Sequence, residues 1–183
     1  IQNSVDMTEY DQISETARTD ELTRMLNRRG GSERLIRALE QGSRENQIVT
    51  VVLYDINELK SVNDRYGHSE GDKLLQYVAS IAKECLGRLD FMYRLSGDEF
   101  VMVFYGRDMN AADESMKRLL TRAGQERERL LKEYDVSFSY GIAEVYPGEM
   151  GSVEDIISRA DEQMYIQKLS LIHISEPTRP RLI

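Results

Sequence analysis

Two apolar runs that flank an acidic turn constrain the fold more than any other feature of this chain. The stretch FMYRLSGDEFVMVFY, residues 91–105, is strand-like on both sides of the tetrapeptide SGDE. Gly97 can adopt a positive φ at little cost, so the pattern predicts a β-hairpin with Asp98 and Glu99 at its tip. Because Asp and Gly are ordinary turn residues, the tip taken alone favours a plain structural turn.

Two further segments are predicted as strands. The segment IVTVVLYDI, residues 48–56, is apolar almost throughout, which is typical of a central strand buried on both faces. It carries Asp55 near its carboxyl end, where α/β and α+β domains commonly place ligand-binding groups. The segment VSFSYGIAEV, residues 136–145, alternates large and small residues and predicts a strand with one larger-residue face.

Apolar side chains recur at helical spacing in four other segments, which predicts amphipathic helices. The stripes are Leu35, Ile36 and Leu39; Leu74, Val78, Ile81 and Cys85; Ala112, Met116, Leu119 and Ala123; and Val153, Ile157, Ala160 and Met164. Helices that alternate with a hairpin and with non-adjacent strands predict an α+β fold in which helices pack on a sheet.

The composition is that of a single soluble globular domain. The 183 residues are 40% hydrophobic and 31% charged, and no long apolar run predicts a membrane span or a signal peptide. The net charge of −8 argues against binding to duplex nucleic acid, but a phosphate-bearing small molecule is compatible if cations offset its charge. The single cysteine, Cys85, predicts buried packing without a disulfide, in a reducing compartment. The chain begins at Ile1 rather than Met, which suggests a fragment.

Three acidic residues are predicted to meet at one end of the sheet. If the strand that carries Asp55 lies beside the hairpin, its carboxylate approaches those of Asp98 and Glu99. Clustered carboxylates raise one another's pKa unless a cation lies among them. Oxygen ligands favour Mg²⁺ or Mn²⁺ over zinc, and the two histidines, His68 and His173, occupy unrelated positions.

Five segments resemble, in order and spacing, the blocks of the GGDEF domain of diguanylate cyclases. They are DELTRMLNRR, YDINELKSVNDRYGHSEGDKLL, YRLSGDEFVMVF, VSFSYGIAEV and ADEQMYIQK. The resemblance implies a palm-like α+β fold similar to that of nucleotidyl cyclases, with a central, mostly antiparallel sheet of about five strands flanked by helices. It assigns residues 1–18 to a linker helix from a missing upstream sensory region and residues 19–168 to the catalytic domain.

The resemblance also implies an activity, in which two GTP molecules condense into cyclic di-GMP with release of pyrophosphate. The substrates meet at the interface of an antiparallel homodimer, and each 3′-hydroxyl attacks the α-phosphate of the opposing GTP. The implied catalytic residues are Asp55, Asp98 and Glu99. Together with the backbone carbonyl of Ile56, they would hold two Mg²⁺ or Mn²⁺ ions per active site.

Other positions match nucleotide contacts of this family. Asn63 and Asp72 match the residues that read the guanine base, and a carboxylate at position 72 favours guanine over adenine. Taken singly, these two residues are also consistent with a helix-end cap and a first-turn acidic residue. Lys60 and Lys168 match lysines that contact phosphate, and the alternative for both is a solvated surface charge. Gly97 would let the backbone approach the nucleotide closely.

The sequence departs from the family pattern at several positions. Ser96 and Arg24 stand where the family usually has glycine. The product-inhibition motif, an arginine three residues before an aspartate, keeps Asp90 but has Gly87 in the arginine position. Arg88 is offset by one residue. In the extended chain that leads into a strand, this offset points its side chain to the opposite side, so feedback inhibition is predicted to be weak or absent.

Residues 169–183, LSLIHISEPTRPRLI, are predicted to be a non-native or disordered tail. They resemble the translation of an adapter used in DNA sequencing libraries, and the alternative is an ordinary disordered tail. Ile172 stands where the family has an arginine that contacts the γ-phosphate. Loss of such a charge-assisted contact costs about 1.5–3 kcal/mol in GTP binding.

Two functions therefore remain open. The first is an active diguanylate cyclase domain that faces the cytoplasm, where GTP is available. This domain is predicted to contact neither nucleic acid nor the membrane, although its parent protein can be membrane-anchored. The second is a degenerate GGDEF module that binds GTP and serves as a regulatory or dimerising element. The retained acidic and base-reading residues favour the first, whereas Ser96 and Ile172 favour the second. A cyclic di-GMP receptor is disfavoured by Gly87.

Overall fold

The computed structural model describes residues 18–130, 134–149 and 151–175. Its sheet has the strand order β2-β3-β1-β4, and every pairing is antiparallel. The strands are β1 (Val49–Ile56), β2 (Phe91–Ser96), β3 (Glu99–Tyr105) and β4 (Phe138–Val145). The helices are α1 (Arg28–Glu45), α2 (Leu59–Tyr66), α3 (His68–Lys83), α4 (Met109–Leu130) and α5 (Val153–Ser175). The α+β fold is confirmed, with four strands in the described part of the chain rather than about five.

The central position predicted for β1 is also confirmed, because β1 lies between β3 and β4 and is buried on both faces. Tyr54 faces a core covered by α2, α3 and α4, together with Leu74 and Met116. Leu53 points the other way, into a core covered by α1 and α5 that includes Ile156. This two-sided burial explains why the sequence of β1 shows no alternation of polar and apolar residues.

Strand β4 is covered on both faces, although its alternation predicted only one larger-residue face. Gly141 lies on the small-residue side, and a Cβ added there would fall 1.9 Å from the carbonyl oxygen of Ala160 and 2.4 Å from the backbone nitrogen of Met164. Helix α5 therefore rests directly on the strand backbone. Because α5 packs this closely, Lys168 in its C-terminal half lies beside Asp55, at the end of the central strand β1.

The predicted hairpin is formed by β2 and β3, and its acidic tip lies beside the end of β1. Asp55 pairs with Glu99 across the β1–β3 ladder, and the backbone nitrogen of Ile56 donates to the Asp98 carbonyl at 3.2 Å. Gly97 has a φ of +20°. The expectation that Asp55 lies beside the hairpin is thus confirmed.

Several apolar positions are more exposed than the helical patterns predicted, and Ile36 and Cys85 are two of them. Ile36 is 48% exposed, because it directly follows the buried Leu35 and points about 100° away from it around α1. Cys85 lies beyond the end of α3 and is only half-buried. By contrast, the predicted stripe of α4, Ala112, Met116, Leu119 and Ala123, is fully buried.

The segment before α1 packs along the outer edge of β2. Leu26 bridges Tyr93 in parallel, and the backbone nitrogen of Arg94 donates to the Leu26 carbonyl at 2.9 Å. Arg24 has a φ of +56°, in the left-handed region that favours glycine. The glycine usual in the family at this position therefore has a conformational reason.

The domain boundaries predicted from the sequence stay predictions. The predicted linker helix lies outside the described residues up to residue 17, and so do residues 176–183 of the predicted tail. Helix α5 continues past Lys168 as far as Ser175. No helix among the described residues is long and apolar enough to cross a membrane.

Candidate active site

An open cleft of about 600 Å³ lies at the end of β1, between the hairpin tip, the start of α2 and the end of α5. Its lining includes five of the residues predicted for the site, namely Asp55, Ile56, Lys60, Asp98 and Lys168. These residues come from four different elements or turns. The sheet register and the packing of α5 therefore bring them together.

The pKa of Asp55 is raised in this cleft. Its side chain is 19% exposed, and one carboxylate oxygen lies 3.1 Å from the Lys168 ammonium nitrogen. Burial raises the pKa of Asp55, the hydrogen bond from Lys168 opposes that rise, and the charges of Asp98 and Glu99 add to it. The charges of Asp98 and Glu99 therefore act on the Asp55 carboxylate, and the lysine offsets part of that repulsion.

Glu99 does not line this cleft. Its side chain borders an adjacent groove of about 380 Å³ between β2, α1 and α5, where its carboxylate accepts a hydrogen bond from the Ser96 hydroxyl. Asp55 and Asp98 thus share one cleft, while Glu99 is held next to it. Among the described residues, no three His, Cys, Asp or Glu side chains are arranged as a ready metal cluster.

The donor set still fits a hard cation. Mg²⁺ is commonly bound through one or two carboxylates plus substrate phosphates rather than in a complete protein cage. Asp55 and Asp98 supply two carboxylates in one cleft, with the backbone of Ile56 on the same wall. The Lys168 ammonium on Asp55 also indicates that this position stabilises positive charge.

A small polar network that sequence reasoning missed forms one wall of the cleft. The Asn57 side chain donates to the Ser137 hydroxyl at 3.1 Å and accepts from the Ser139 hydroxyl at 3.0 Å. Ser139 is buried and pairs with Asp55 across the β1–β4 ladder. The network joins the end of β1, just after Asp55, to the start of β4. Its residues are 80 and 82 positions apart, so no local pattern could reveal it.

The predicted base-reading residues lie on a neighbouring surface formed by α2 and α3. A Cβ added to Gly71 would fall 1.9 Å from the Asn63 side-chain oxygen, so the amide lies directly against the first turns of α3. Asp72 is the next residue and is exposed. Neither Asn63 nor Asp72 lines the 600 Å³ cleft, but α2 leads from the cleft wall at Leu59 toward Asn63.

Arg94 anchors the acidic turn, which the sequence pattern did not predict. Its Nε and Nη2 atoms donate to the Gly97 carbonyl at 3.0 and 2.6 Å, while Nη1 lies 3.2 and 3.3 Å from the two Asp20 carboxylate oxygens. Burial raises the pKa of Asp20, but hydrogen bonds from Thr23 and the charge of Arg94 bring it below its ordinary value overall. The turn is therefore fastened to the segment that precedes α1.

Asp90, the retained aspartate of the product-inhibition motif, is engaged inside the protein. Its side chain is 3% exposed and accepts from the backbone nitrogens of Gly87 at 2.8 Å and Tyr105 at 3.0 Å. Arg107 forms an ion pair with it at 3.1 Å. These contacts make Asp90 a structural residue in this chain.

The match to known proteins agrees with this geometry. Residues 17–171 match the family described as Diguanylate cyclase, GGDEF domain. The chain belongs to the GGDEF domain family. The resemblance inferred from the five sequence blocks is thereby confirmed.

Among curated relatives of this GGDEF chain, the bifunctional diguanylate cyclase/cyclic di-GMP phosphodiesterase MucR of Pseudomonas aeruginosa is 34% identical over 157 residues. The match covers 86% of this chain and 23% of MucR. The diguanylate cyclase DgcS of Shewanella oneidensis is 29% identical over 170 residues, which is 93% of this chain and 56% of DgcS. The chain therefore spans about a quarter and just over half of these two relatives.

Solved structures share the fold. The coiled coil and GGDEF domain of DgcB from Caulobacter crescentus, in complex with c-di-GMP, has a TM-score of 0.83 at 26% identity and covers 92% of this chain and 90% of DgcB's. The diguanylate cyclase SiaD of Pseudomonas aeruginosa, in complex with its activator SiaC, has a TM-score of 0.77 at 27% identity, over 92% of this chain and 65% of SiaD's.

Proposed function

We propose that this GGDEF domain is a diguanylate cyclase that condenses two GTP molecules into cyclic di-GMP. In each half-reaction a 3′-oxygen to α-phosphorus bond forms, the bond from that phosphorus to pyrophosphate breaks, and the hydroxyl proton is lost. The observation that carries the proposal is the cleft in which Asp55 and Asp98 face Lys60 and Lys168. Carboxylates and lysines together suit a triphosphate that arrives with a divalent cation.

The proposed cofactor is Mg²⁺ or Mn²⁺, two ions per active site. Asp55, Asp98 and the backbone carbonyl of Ile56 would hold them, and Glu99 would complete the set. When bound, such ions neutralise phosphate charge and lower the pKa of the attacking hydroxyl.

The remaining proposed roles fall to residues in the cleft and on the surfaces next to it. Lys60 and Lys168 bind the phosphates, and Asn63 and Asp72 read the guanine edge from α2 and α3. Gly97, on the exposed turn, admits the nucleotide close to the backbone. One carboxylate of the signature turn, at Asp98 or at its neighbour Glu99, accepts the proton that the 3′-hydroxyl loses.

The proposed assembly is a homodimer, because each cleft holds one GTP and the reaction needs two in opposition. An upstream sensory region would control how the two clefts meet. The domain would act in the cytoplasm, where its substrate is available. The acidic net charge of −8 supports a small-molecule substrate rather than nucleic acid.

A second function is favoured by one observation. The Ser96 hydroxyl already engages Glu99, one of the proposed metal ligands. A degenerate module that binds GTP without turnover, as a regulatory or dimerising element, is consistent with this contact and with Ile172 in place of an arginine on α5.

Product analysis by chromatography separates these functions. The purified chain is incubated with GTP and Mg²⁺ beside Asp98→Ala and, as a charge-matched control, Asp64→Ala, which changes an exposed residue of α2. Cyclic di-GMP from the original chain and the control, but not from Asp98→Ala, is the expected result. GTP binding without product would favour the regulatory module. Product only from an Ile172→Arg variant would locate the defect at the end of α5.

We also expect weak or absent feedback inhibition through the motif at Asp90. Its carboxylate is occupied by internal donors, and Gly87 offers no side chain to a ligand. Isothermal titration of cyclic di-GMP is expected to show no tight binding. Tight binding that Arg88→Ala abolishes would contradict the expectation, whereas tight binding that survives this change would place the product elsewhere, such as in the catalytic cleft.

A further inference from the structure

Ser96 and Glu99 form a pair that is set apart from the rest of the signature turn. Ser96 is the last residue of β2 and pairs with Glu99 of β3 across a register irregularity. Both side chains border the 380 Å³ groove, and the Ser96 hydroxyl donates to a Glu99 carboxylate oxygen. A hydrogen bond to an ionised acceptor is about twice as strong as one between neutral groups.

The backbone of Glu99 nevertheless lies next to the cleft. Glu99 is the direct partner of Asp55 in the β1–β3 ladder, and its charge contributes to the raised pKa of Asp55. Side chains of directly paired residues lie on the same face, with Cβ atoms about 5 Å apart. Rotation about the side-chain bonds of Glu99 therefore suffices to turn its carboxylate from the groove toward Asp55. The contact with Ser96 opposes that rotation.

We infer that Ser96 is a positioning residue that holds the Glu99 carboxylate in the groove and away from the Asp55–Asp98 cleft. Glu99 must leave the Ser96 hydroxyl before it can join the other carboxylates around a divalent cation. Ser96 thereby raises the cation concentration at which the site fills. This inference rests on the proposed function only in that the cleft takes a divalent cation.

The backbone at position 96 makes the inference testable. Ser96 is in strand β2, and its φ is not among the positive values found in the described part of the chain. Alanine is therefore accommodated without strain and removes only the hydroxyl. Threonine keeps a hydroxyl on the same strand position and is the matched control.

The test is a titration of the whole chain with Mn²⁺, in which unbound Mn²⁺ is followed by electron paramagnetic resonance without nucleotide. Ser96→Ala is expected to bind Mn²⁺ roughly tenfold to a hundredfold more tightly, the range of one net hydrogen bond to a charged group. Ser96→Thr is expected to match the original chain. In a Glu99→Gln background, Ser96→Ala is expected to have no effect, because the held carboxylate is gone.

The outcomes separate this inference from the proposed function. Unchanged or weaker Mn²⁺ binding in Ser96→Ala would overturn the inference, as would an equal gain in the Glu99→Gln background. Absence of millimolar Mn²⁺ binding in every variant would overturn it as well. A chain that makes no cyclic di-GMP but shows the expected gain would refute the cyclase proposal and leave the role of Ser96 standing.

Discussion

Asp55 and Asp90 are aspartates at opposite ends of the same sheet, and the protein treats them in opposite ways. Asp55 lies beside the hairpin tip, whereas Asp90 bonds to Tyr105 at the far end of β3. Asp90 accepts from two backbone nitrogens and an arginine, while Asp55 contacts one lysine and is repelled by its acidic neighbours. A carboxylate whose charge and hydrogen bonds are compensated inside the protein contributes to stability. A carboxylate whose negative charge is only partly compensated is suited to bind a cation.

The largest expected effect follows from Asp55→Asn. The amide cannot offset cation charge, so cyclic di-GMP formation should fall on the order of a thousandfold, the scale of several kcal/mol. The melting temperature should stay the same or rise, because the change removes repulsion from Asp98 and Glu99. Initial rates with GTP and Mg²⁺, together with thermal melts, check both parts. A clear fall in melting temperature would break the contrast with Asp90.

Asp90→Asn should do the reverse. The change leaves the Arg107 charge without its partner and weakens the bonds to two backbone nitrogens, so the free energy of unfolding should fall by roughly 3 kcal/mol. Urea denaturation measures the loss, with Glu40→Gln on the exposed surface of α1 as a control for charge removal. The turnover rate per folded molecule should be retained. Loss of turnover at unchanged stability would assign Asp90 to the catalytic site.

Asp20 is intermediate, since its carboxylate is hydrogen-bonded and also anchors the acidic turn through Arg94. Its pKa is lowered below the ordinary 3.8, so its stabilisation is complete well above that pH and is lost as the pH falls through the folded pKa. Asp20→Asn should therefore cost about 1–2 kcal/mol at pH 7. Unfolding curves at several pH values should show that the stability difference between the variant and the original chain shrinks below roughly pH 4. That pH lies near the ordinary pKa of an aspartate. A difference independent of pH would remove the charge from the explanation.

The smallest effect is expected at Arg24, which has a φ of +56°. A left-handed conformation costs a non-glycine residue about 1–2 kcal/mol, part of which glycine loses again through its freedom in the unfolded chain. Arg24→Gly should therefore raise the free energy of unfolding by up to about 1 kcal/mol. Arg24→Ala, which keeps the strain, is the matched control and should give no gain in the same denaturation experiment.

The sequence predicted that acidic residues meet at one end of the sheet, but it did not predict what each carboxylate contacts there. Asp55 could be expected near Asp98 because an almost wholly apolar strand is typical of a central position, where the hairpin can pair with it. The hydrogen bond from Ser96 that turns Glu99 into the groove could not be foreseen, because serine at the turn reads only as a replacement for glycine. The anchor from Asp20 to Arg94 spans 74 positions and leaves no periodic signal.

The α+β class, the central strand, the hairpin and the family could be predicted from the chain alone, because they depend on local periodicity and on short motifs in a fixed order. Which of those residues meet depends on how the helices pack against the sheet. The absence of a side chain at Gly141 lets α5 lie against β4 and brings Lys168 to Asp55, while internal donors around Asp90 remove it from the surface. Such contacts depend on distances between segments far apart in the chain, and these are set only when the two cores pack on either side of the sheet.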